Sequence, residues 1–415
     1  MSNQFNAYSA AAVGPLSGVF HTSAPLALDT VPRRGEKLND LVREWIALTP
    51  TQNTHTFGVA SANGSQCTFR PDNFDRPLIY YVRVVISAIT ATGGTYARLK
   101  DSALLSIIKN LDYRYINQSV NTPLMEQQWL EALLEDNVRL QQRRLRKLGL
   151  LQTAADRDAA ATAQLELYIR LPSYHQREPY KAPFVRGLGT QYEILFNWGP
   201  LGEIIETDGT NPVCTIVGQP ELVVEHETYT NDTKKAFFAL IQQEKGLVAP
   251  FLDWQREVVS TSLAAGTLNA GRLAVPPMRR EARFLIFLFQ DVANFTDYVG
   301  SSTALSSALL PDYVTLVYDS KNQLQERVSV KLLQDRFFER HFPDGGEFPC
   351  VPFVFEQCSH DRLLTSGSVD LNYTPSLTIQ PEWNVATPVN LRITVYAATY
   401  NIVQQVQANW KKAAV

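Results

Sequence analysis

Gln164-Leu165-Glu166-Leu167-Tyr168-Ile169-Arg170-Leu171-Pro172 alternates apolar and polar side chains and stops at a proline. About two hundred positions later, Gly367-Ser368-Val369-Asp370-Leu371-Asn372-Tyr373-Thr374-Pro375 does the same, after a Ser-Gly turn. Alternation with period two places successive side chains on opposite faces of a strand. Proline ends such a strand because it has no N–H to donate to the ladder. The second stretch reads as a copy of the first, and that duplication decides the fold.

Working outward, the same order of elements occurs in both halves. Leu78-Ile79-Tyr80-Tyr81-Val82-Arg83-Val84-Val85-Ile86 is dense in β-branched and aromatic residues and matches the strand-like run at 283–290. Residues 111–116, followed by Asn117-Gln118, match 312–318, followed shortly by Asn322-Gln323. Then the period changes. Thr122 is a candidate N-cap and Pro123 a first-turn proline, and Leu130, Leu133, Leu134, Val138, Leu145 and Leu148 recur at helical spacing up to Gly149. Its counterpart is a helix-like run at 330–342 carrying Leu332, Leu333, Arg336, Phe337 and Arg340. Strands at 192–198 and 391–400 are read as the last matched pair. Many short strands with Gly and Pro turns and long connections predict a mainly β chain: two consecutive eight-stranded jelly-roll β-sandwiches, each with a helical insertion.

Other readings fill the gaps. Residues 1–35, rich in Ala, Ser, Gly and Pro, read as an extended arm. Leu38, Leu41, Val42, Trp45 and Ile46 are spaced as a short helix stopped by Thr49-Pro50. A polar strand region at 54–69 is broken by Asn63-Gly64. Gly93-Gly94 reads as a hairpin turn, an Ala/Asp-rich loop precedes Gln164, and further strands are expected at 213–217 and 221–228. The expected divisions are an arm with a short helix at 1–49, a first jelly roll at 50–240, a second at 241–403 and a tail at 404–415.

A chain of 415 residues exceeds the size at which one core keeps growing, so two domains are the default. Charged residues make up 19%, below the usual roughly 25%, while aromatics reach 10%. A Tyr- and Phe-rich, weakly charged surface suits burial in an assembly. A net charge of −3 argues against a specific nucleic-acid partner, which a basic excess would serve. Cys67, Cys214, Cys350 and Cys358 include no CxxC pair and read as free thiols of a reducing compartment. No signal-peptide pattern opens the chain, and no apolar run approaches the roughly 20 residues that span a bilayer.

Reactive constellations are sparse. The six histidines form no HxxxH or HExxH, and there is no Gly-x-Ser-x-Gly elbow or phosphate loop. Cys358-Ser359-His360-Asp361 holds three ligand types but has no second ligand pair nearby, so it reads as a polar turn. Glu225-His226-Glu227 puts two carboxylates on one strand face, an acid–base geometry that a solvated face explains more simply. Arg139, Arg143, Arg144, Arg146 and Lys147 form the dense basic run. It is either a contact for lipid head groups, acidic neighbours or nucleic acid, or a solvated helix face near a favourable dipole end, and the second is the simpler. No catalytic, cofactor-binding or metal residue is assigned, and no cofactor.

The pattern resembles the double jelly-roll major capsid proteins of tailless icosahedral viruses, of tectivirus type, with adenovirus hexon and the large DNA-virus capsid proteins as distant relatives. The stretches that carry the resemblance are Val84-Val85-Ile86-Ser87-Ala88-Ile89-Thr90 with 104–115, and Gln164-Leu165-Glu166-Leu167-Tyr168-Ile169 with Tyr192-Glu193-Ile194-Leu195-Phe196. Ser366-Gly367-Ser368-Val369-Asp370-Leu371-Asn372 is similar to the Ser-Gly-Ser-Leu-Asn-Phe run of the large DNA-virus proteins. The resemblance covers roughly residues 50–405, as an order of elements. It implies a structural, non-enzymatic protein of the virion, assembled inside the host cell as a homotrimer whose six jelly rolls form a pseudo-hexagonal capsomer. Implied partners are other copies of the chain, minor capsid and penton proteins, and an internal viral membrane reached by the N-terminal arm. That arm carries few charges before Arg33, unlike some relatives. The alternatives are a glycan-processing enzyme on two jelly rolls, which would need clustered carboxylates in a cleft, and a lectin or receptor-binding spike.

Overall fold

The computed structural model describes residues 41–292 with short breaks, the longest at 51–65, and beyond them 311–318, 326–332, 353–356, 369–371, 377–382, 389–406 and 409–412. In chain order the first half gives β1 (Leu41–Ala47), β2 (Thr49–Pro50), β3 (Gln66–Phe69), β4 (Arg76–Ile86), β5 (Thr90–Thr92), β6 (Ala97–Leu99), β7 (Ile108–Tyr115), β8 (Gln118–Asn121), β9 (Leu165–Leu171), β10 (Tyr192–Trp198), β11 (Ile205–Thr207), β12 (Thr210–Val213) and β13 (Ile216–Glu227). The second half gives β14 (Leu247–Leu263), β15 (Leu273–Ala274), β16 (Glu281–Asp291), β17 (Tyr313–Tyr318), β18 (Glu326–Ser329), β19 (Phe353–Glu356), β20 (Val369–Asp370), β21 (Leu377–Glu382), β22 (Val389–Val406) and β23 (Asn409–Lys412). The helices are α1 (Ala103–Ser106), α2 (Gln127–Leu133), α3 (Val138–Lys147), α4 (Ala154–Ala161), α5 (Leu201–Ile204) and α6 (Asn231–Gln242).

The sheets repeat one rule. In the first half the strand orders are β1-β13-β4-β9 and β2-β3-β10-β7-β8. In the second they are β14-β22-β16-β19, with β20 also on β16 and β23 on β22, and β15-β21-β17-β18. In both halves the first wall strand pairs with the last, the last with the third, and the third with the sixth. The second pairs with the seventh, the seventh with the fourth, and the fourth with the fifth. Every pairing is antiparallel. This is jelly-roll order, made by Greek-key connections between two packed sheets.

The order corrects one expected equivalence. Residues 391–400 lie in β22, the last wall strand, and correspond to β13. The counterpart of β10 is β21, a six-residue strand that carries Pro381. Its proline argues against a sheet-interior strand, so the sequence pattern passes over it. Of the stretch 367–375, Val369 and Asp370 pair with Ala282 and Glu281 on β16, beside the place taken by β19, as β9 pairs with β4. Residues 372–375 lie outside the described ones.

Three local expectations also change. The short helix expected at 38–46 is instead β1, which pairs along its length with β13, from Leu41 opposite Glu227 to Ala47 opposite Glu221. An unsatisfied sheet edge outweighs a helical spacing of five apolar residues, since the pairing satisfies the exposed edge of β13 along the length of β1. The stretch read as a short helix is therefore the first strand of the first sandwich. The insertion expected as one helix from Pro123 is two helices, with α2 beginning at Gln127. The Ala/Asp-rich loop is α4, begun by Thr153, whose hydroxyl accepts from the Asp156 N–H at 3.2 Å. Alanine is the strongest helix former, and Thr supplies the cap. The helix expected at 330–342 lies mostly outside the described residues. Residues 409–412, read as tail, form β23 and double back on β22.

Two cores follow from this alternation. Along β4, Tyr80, Val82, Val84 and Ile86 are buried and their neighbours are half-buried. They meet Ile194, Phe196 and Trp198 from the opposing sheet. The second core sets Leu285, Phe287 and Phe289 of β16 beside Leu391, Ile393 and Val395 of β22, across from Ile379. Each such fully buried side chain contributes about 1.5–3 kcal/mol relative to exposure.

Candidate functional site

The surfaces that hold the two rolls together, and those left free, are where this molecule concentrates its specific chemistry. At one end of the first roll, the connections before β4 and before β10 meet α6. Asp75 is buried there. Its carboxylate pairs with Arg186 at 2.7 Å and Lys234 at 3.1 Å, and accepts the Tyr229 N–H at 2.9 Å. Its carbonyl accepts the Val185 N–H at 3.0 Å. Neighbouring Arg76 donates to the Ala182 carbonyl at 3.1 Å and lies 5.7 Å over the Phe237 ring. Phe184, Tyr229, Phe237 and Ile241 close a small apolar cluster beneath them. The helix joining the rolls is thus fixed by charge and by packing together.

The second roll locks onto this platform. Gln405 of β22 accepts the Phe184 N–H at 3.0 Å and donates to the Phe184 carbonyl at 2.8 Å. Lys181 donates to the Pro250 carbonyl at 2.6 Å, and the Tyr174 and Phe251 rings lie 5.2 Å apart. Gly246 has φ of +56°, and a Cβ there would sit 2.1 Å from the Gln405 carbonyl oxygen, so the turn into β14 needs glycine. Higher up, β14 and β22 face the helical insertion of the first roll. Arg256 pairs with Glu126, and Tyr396 meets Trp129 edge-on at 6.4 Å.

About 35 Å away along β4, by strand rise, the first roll extends a two-stranded ribbon. β5 pairs with β12 and β6 with β11. Gly93-Gly94, expected as a hairpin turn, instead kinks one strand of this ribbon opposite Asp208-Gly209. Gly94 has φ of +88°, and a Cβ on it would lie 2.5 Å from the Asp208 carboxylate. That carboxylate accepts from the Thr95 N–H at 2.8 Å, the Thr95 hydroxyl at 2.7 Å and the Tyr96 N–H at 3.0 Å. These bonds, led by the Thr95 hydroxyl, hold the Asp208 pKa below its ordinary value. Its contribution is therefore present above the ordinary carboxylate pKa and lost as pH falls through the lowered one. Asp208→Asn is expected to speed amide exchange at Thr95 and Tyr96 while leaving the melting temperature of the rolls unchanged, read by hydrogen-exchange mass spectrometry. Unchanged exchange would contradict this role.

Behind the ribbon, α4 is tied in by ions. Arg98 pairs with Asp158 at 2.9 Å and Glu206 at 3.1 Å, and Arg157 pairs with Glu206 at 3.0 Å. Burial works against the Glu206 carboxylate, but the hydrogen bonds from Arg98 and Arg157 outweigh it and its pKa lies below the ordinary value.

The residues singled out in the sequence fare differently. Glu225 and His226 of β13 are buried, with the His226 ring 4.5 Å from Phe74, so the solvated face expected there is covered. Arg139, Arg143 and Lys147 are exposed along α3 at four-residue spacing. Cys350, Cys358, His360 and Asp361 lie outside the described residues. Cys67 and Cys214 are buried free thiols whose pKa values burial pushes up to about 12 and about 11, which leaves them unreactive. Among the described residues no group of three or more His, Cys, Asp or Glu is arranged to hold a metal. A groove of about 340 Å³ lies on the first roll, with Arg256 reaching it from the second. Its two carboxylates are already engaged: Asp112 accepts from Arg114 and from Ser119 at 2.7 Å, and Glu126 pairs with Arg256.

His175, which the sequence did not single out, is fully buried between Tyr174 and Tyr80, with ring centroids at 4.9 and 6.4 Å. Burial, followed by the nearby Arg76 and Arg170 charges, lowers its pKa to about 3, against a weaker opposing pull from the Leu78 backbone.

The strand order and end-to-end dimensions can be compared with solved structures. PBCV-1 VP54, in a crystal structure fitted into a reconstruction of the virophage Sputnik, superposes with a TM-score of 0.65 at 13% identity, over 93% of this chain and 99% of that one. The chain folds as a double jelly roll. The Faustovirus major capsid protein gives a TM-score of 0.61 at 10% identity, over 90% and 92% of the two chains. The mavirus major capsid protein gives 0.51 at 10%, over 92% and 93%. No family model and no curated protein matches the sequence. At such identities the double jelly roll is shared as a backbone arrangement, and the side chains that hold it are this chain's own.

Proposed function

We propose that the protein is a major capsid protein: a structural subunit that assembles as a homotrimer, with six jelly rolls forming a pseudo-hexagonal capsomer of an icosahedral virion. The observation that carries the reading is coextension. The double jelly roll spans 93% of this chain and 99% of the PBCV-1 protein, whose solved context is a virus capsid. The internal construction supports it. The rolls are fixed to each other through buried ions at one end and the helical insertion along the side, as a load-carrying wall requires. The two carboxylates of the groove on the first roll are held by guanidinium groups, which speaks against acid–base work there and disfavours the glycan-processing alternative. In this reading the chain has no catalytic role. Its further partners are minor capsid and penton proteins, and residues 1–35 reach a neighbouring capsomer or an underlying membrane. Native mass spectrometry tests the assembly: the expected species is three times 46.6 kDa. A chain that stays monomeric at high concentration contradicts it.

A further inference from the structure

Three contacts that seat the second roll at the α6 end fall on one connection of the first, the one between β9 and β10. Tyr174 packs on Phe251, Lys181 donates to the Pro250 carbonyl, and the Phe184 backbone is bonded twice by Gln405. The start of this connection is held in turn by the first roll's tyrosines. The Tyr113 hydroxyl donates to the Pro172 carbonyl at 2.9 Å, and the Tyr80 and Tyr192 hydroxyls lie 3.1 Å apart. His175 fills the space between Tyr174 and Tyr80 and is 1% exposed. From β4 it is faced by Tyr80 and the Arg76 charge, from β9 by the Arg170 charge, and from its own connection by Tyr174. No carboxylate is among the groups that act on it. Neither ring nitrogen meets a partner in hydrogen-bonding geometry. The Leu78 backbone, the one group that favours the charged ring, has the weakest pull of all. A proton on the buried ring would add a third positive charge beside two guanidinium groups with no counter-charge. An isolated charge is far costlier buried than in water, so the ring is protonated only outside its pocket.

We propose that the connection between β9 and β10 is an acid-released latch between the two rolls: His175 takes up a proton by leaving its pocket, and in leaving it lifts Tyr174 off Phe251 and frees the second roll at this end. The two residues are adjacent, so the ring cannot swing out while its neighbour stays seated. The release is one-ended. The contacts through the helical insertion, Arg256 with Glu126 and Tyr396 with Trp129, contain no histidine and remain as the pivot. His226, also buried at this end, packs on Phe74 from β13, a strand that carries none of the three contacts. The two hydrophobic cores are built from other side chains and stay closed. A local opening of this kind costs less than unfolding either roll, which lets one protonation drive it. The latch goes beyond the capsid reading, because it joins two halves of one chain and operates whether or not copies assemble. In a capsid it would let acid loosen every subunit without unfolding a roll.

Hydrogen-exchange mass spectrometry of the full chain at pH 7 and pH 5, corrected for the intrinsic exchange rate, tests the latch. Peptides over 181–188 report it directly, since the Phe184 N–H is held by Gln405 of the second roll. Their protection is expected to fall about 25-fold between the two pH values, the factor set by an imidazole whose pKa is about 3 when seated and 6.5 when released. Peptides over β4 and β16 keep their protection, and in His175→Phe the peptides over 181–188 keep theirs as well. Hydroxyl-radical labelling of the wild type gives a second readout with no substitution. Tyr174 and Phe251 are expected to label more strongly at pH 5 than at pH 7, while Phe287 in the second core stays protected. Protection over 181–188 that survives pH 5, a fall shared equally by β4 and β16, or an undiminished fall in His175→Phe overturns the latch. Tyr174 and Phe251 labelling that does not rise overturns it without any variant. All these readings are made within one chain, so a chain that never forms a trimer contradicts the capsid reading and leaves the latch to be decided by them.

Discussion

Replacing Asp75 with alanine is expected to cost about 3–4 kcal/mol of stability, and with asparagine about 2–3, lowering the melting temperature by roughly 10 °C. The carboxylate is 2% exposed and serves three donors from two separate segments: Arg186, Lys234 and the Tyr229 N–H. Removing it leaves the Lys234 ammonium, 19% exposed, without its counter-charge and the Tyr229 N–H buried without this acceptor. Asparagine keeps one acceptor for the N–H and so costs less. The loss extends beyond the local ions. The helix carrying Lys234 and Phe237 joins the two rolls, and Gln405 of the second roll clamps the same platform at Phe184. Unfolding should therefore become less cooperative, with the rolls separating before they melt. By contrast, Arg83→Ala, at a solvent-screened triad with Glu166 and Glu221, should leave stability nearly unchanged. Denaturant unfolding of both variants checks the pair. An Asp75→Ala cost near that of Arg83→Ala would contradict the role given to the buried hub.

Acid should weaken the protein before its carboxylates protonate, because of His175. Its folded pKa is about 3 against an ordinary value of 6.5. The unfolded chain thus binds a proton that the folded chain refuses over the interval between those values. Stability rises with pH across that interval and is lost as pH falls below 6.5. The expected loss is about 2 kcal/mol between pH 7 and pH 5, and roughly 4 kcal/mol near pH 3. Glu206, Asp208 and Glu166 have lowered pKa values and remain ionised through the upper part of this range, so the slope there belongs to the histidine. His175→Phe places an uncharged ring between Tyr174 and Tyr80, and should flatten the pH dependence between 7 and 5 with little change at pH 7. A variant that keeps the wild-type slope would assign the acid sensitivity to another group. His175 lies one residue from Tyr174, which packs on Phe251 of the second roll, so acid would loosen the junction between rolls first.

The sequence carried the walls of the fold better than its joints. β4 and β9 were legible because one face is packed and the other is not, and such alternation is visible in a single chain, while β16 was legible as an apolar run buried on both faces. β14 was missed for the opposite reason. Its seventeen residues include Pro250, Asp253, Arg256 and Glu257, which interrupt the apolar alternation that marks a strand. In the structure Asp253 pairs with Arg280 at 3.0 Å and accepts from Asn401 at 2.8 Å, while Arg256 reaches Glu126 of the first roll. Charges satisfied by distant partners leave no trace in local pattern. β1 was misread as helix because its partner, β13, lies about 180 residues away and no local spacing encodes that pairing. Asp75 and His175 had no sequence signal, since a buried carboxylate and a buried imidazole are made by the segments that close over them.

The account stands or falls on whether copies of this chain form a closed six-lobed ring. Electron cryo-microscopy of the purified protein measures that directly. The predicted particle has three-fold symmetry and six upright jelly rolls. Isolated two-lobed particles would contradict it.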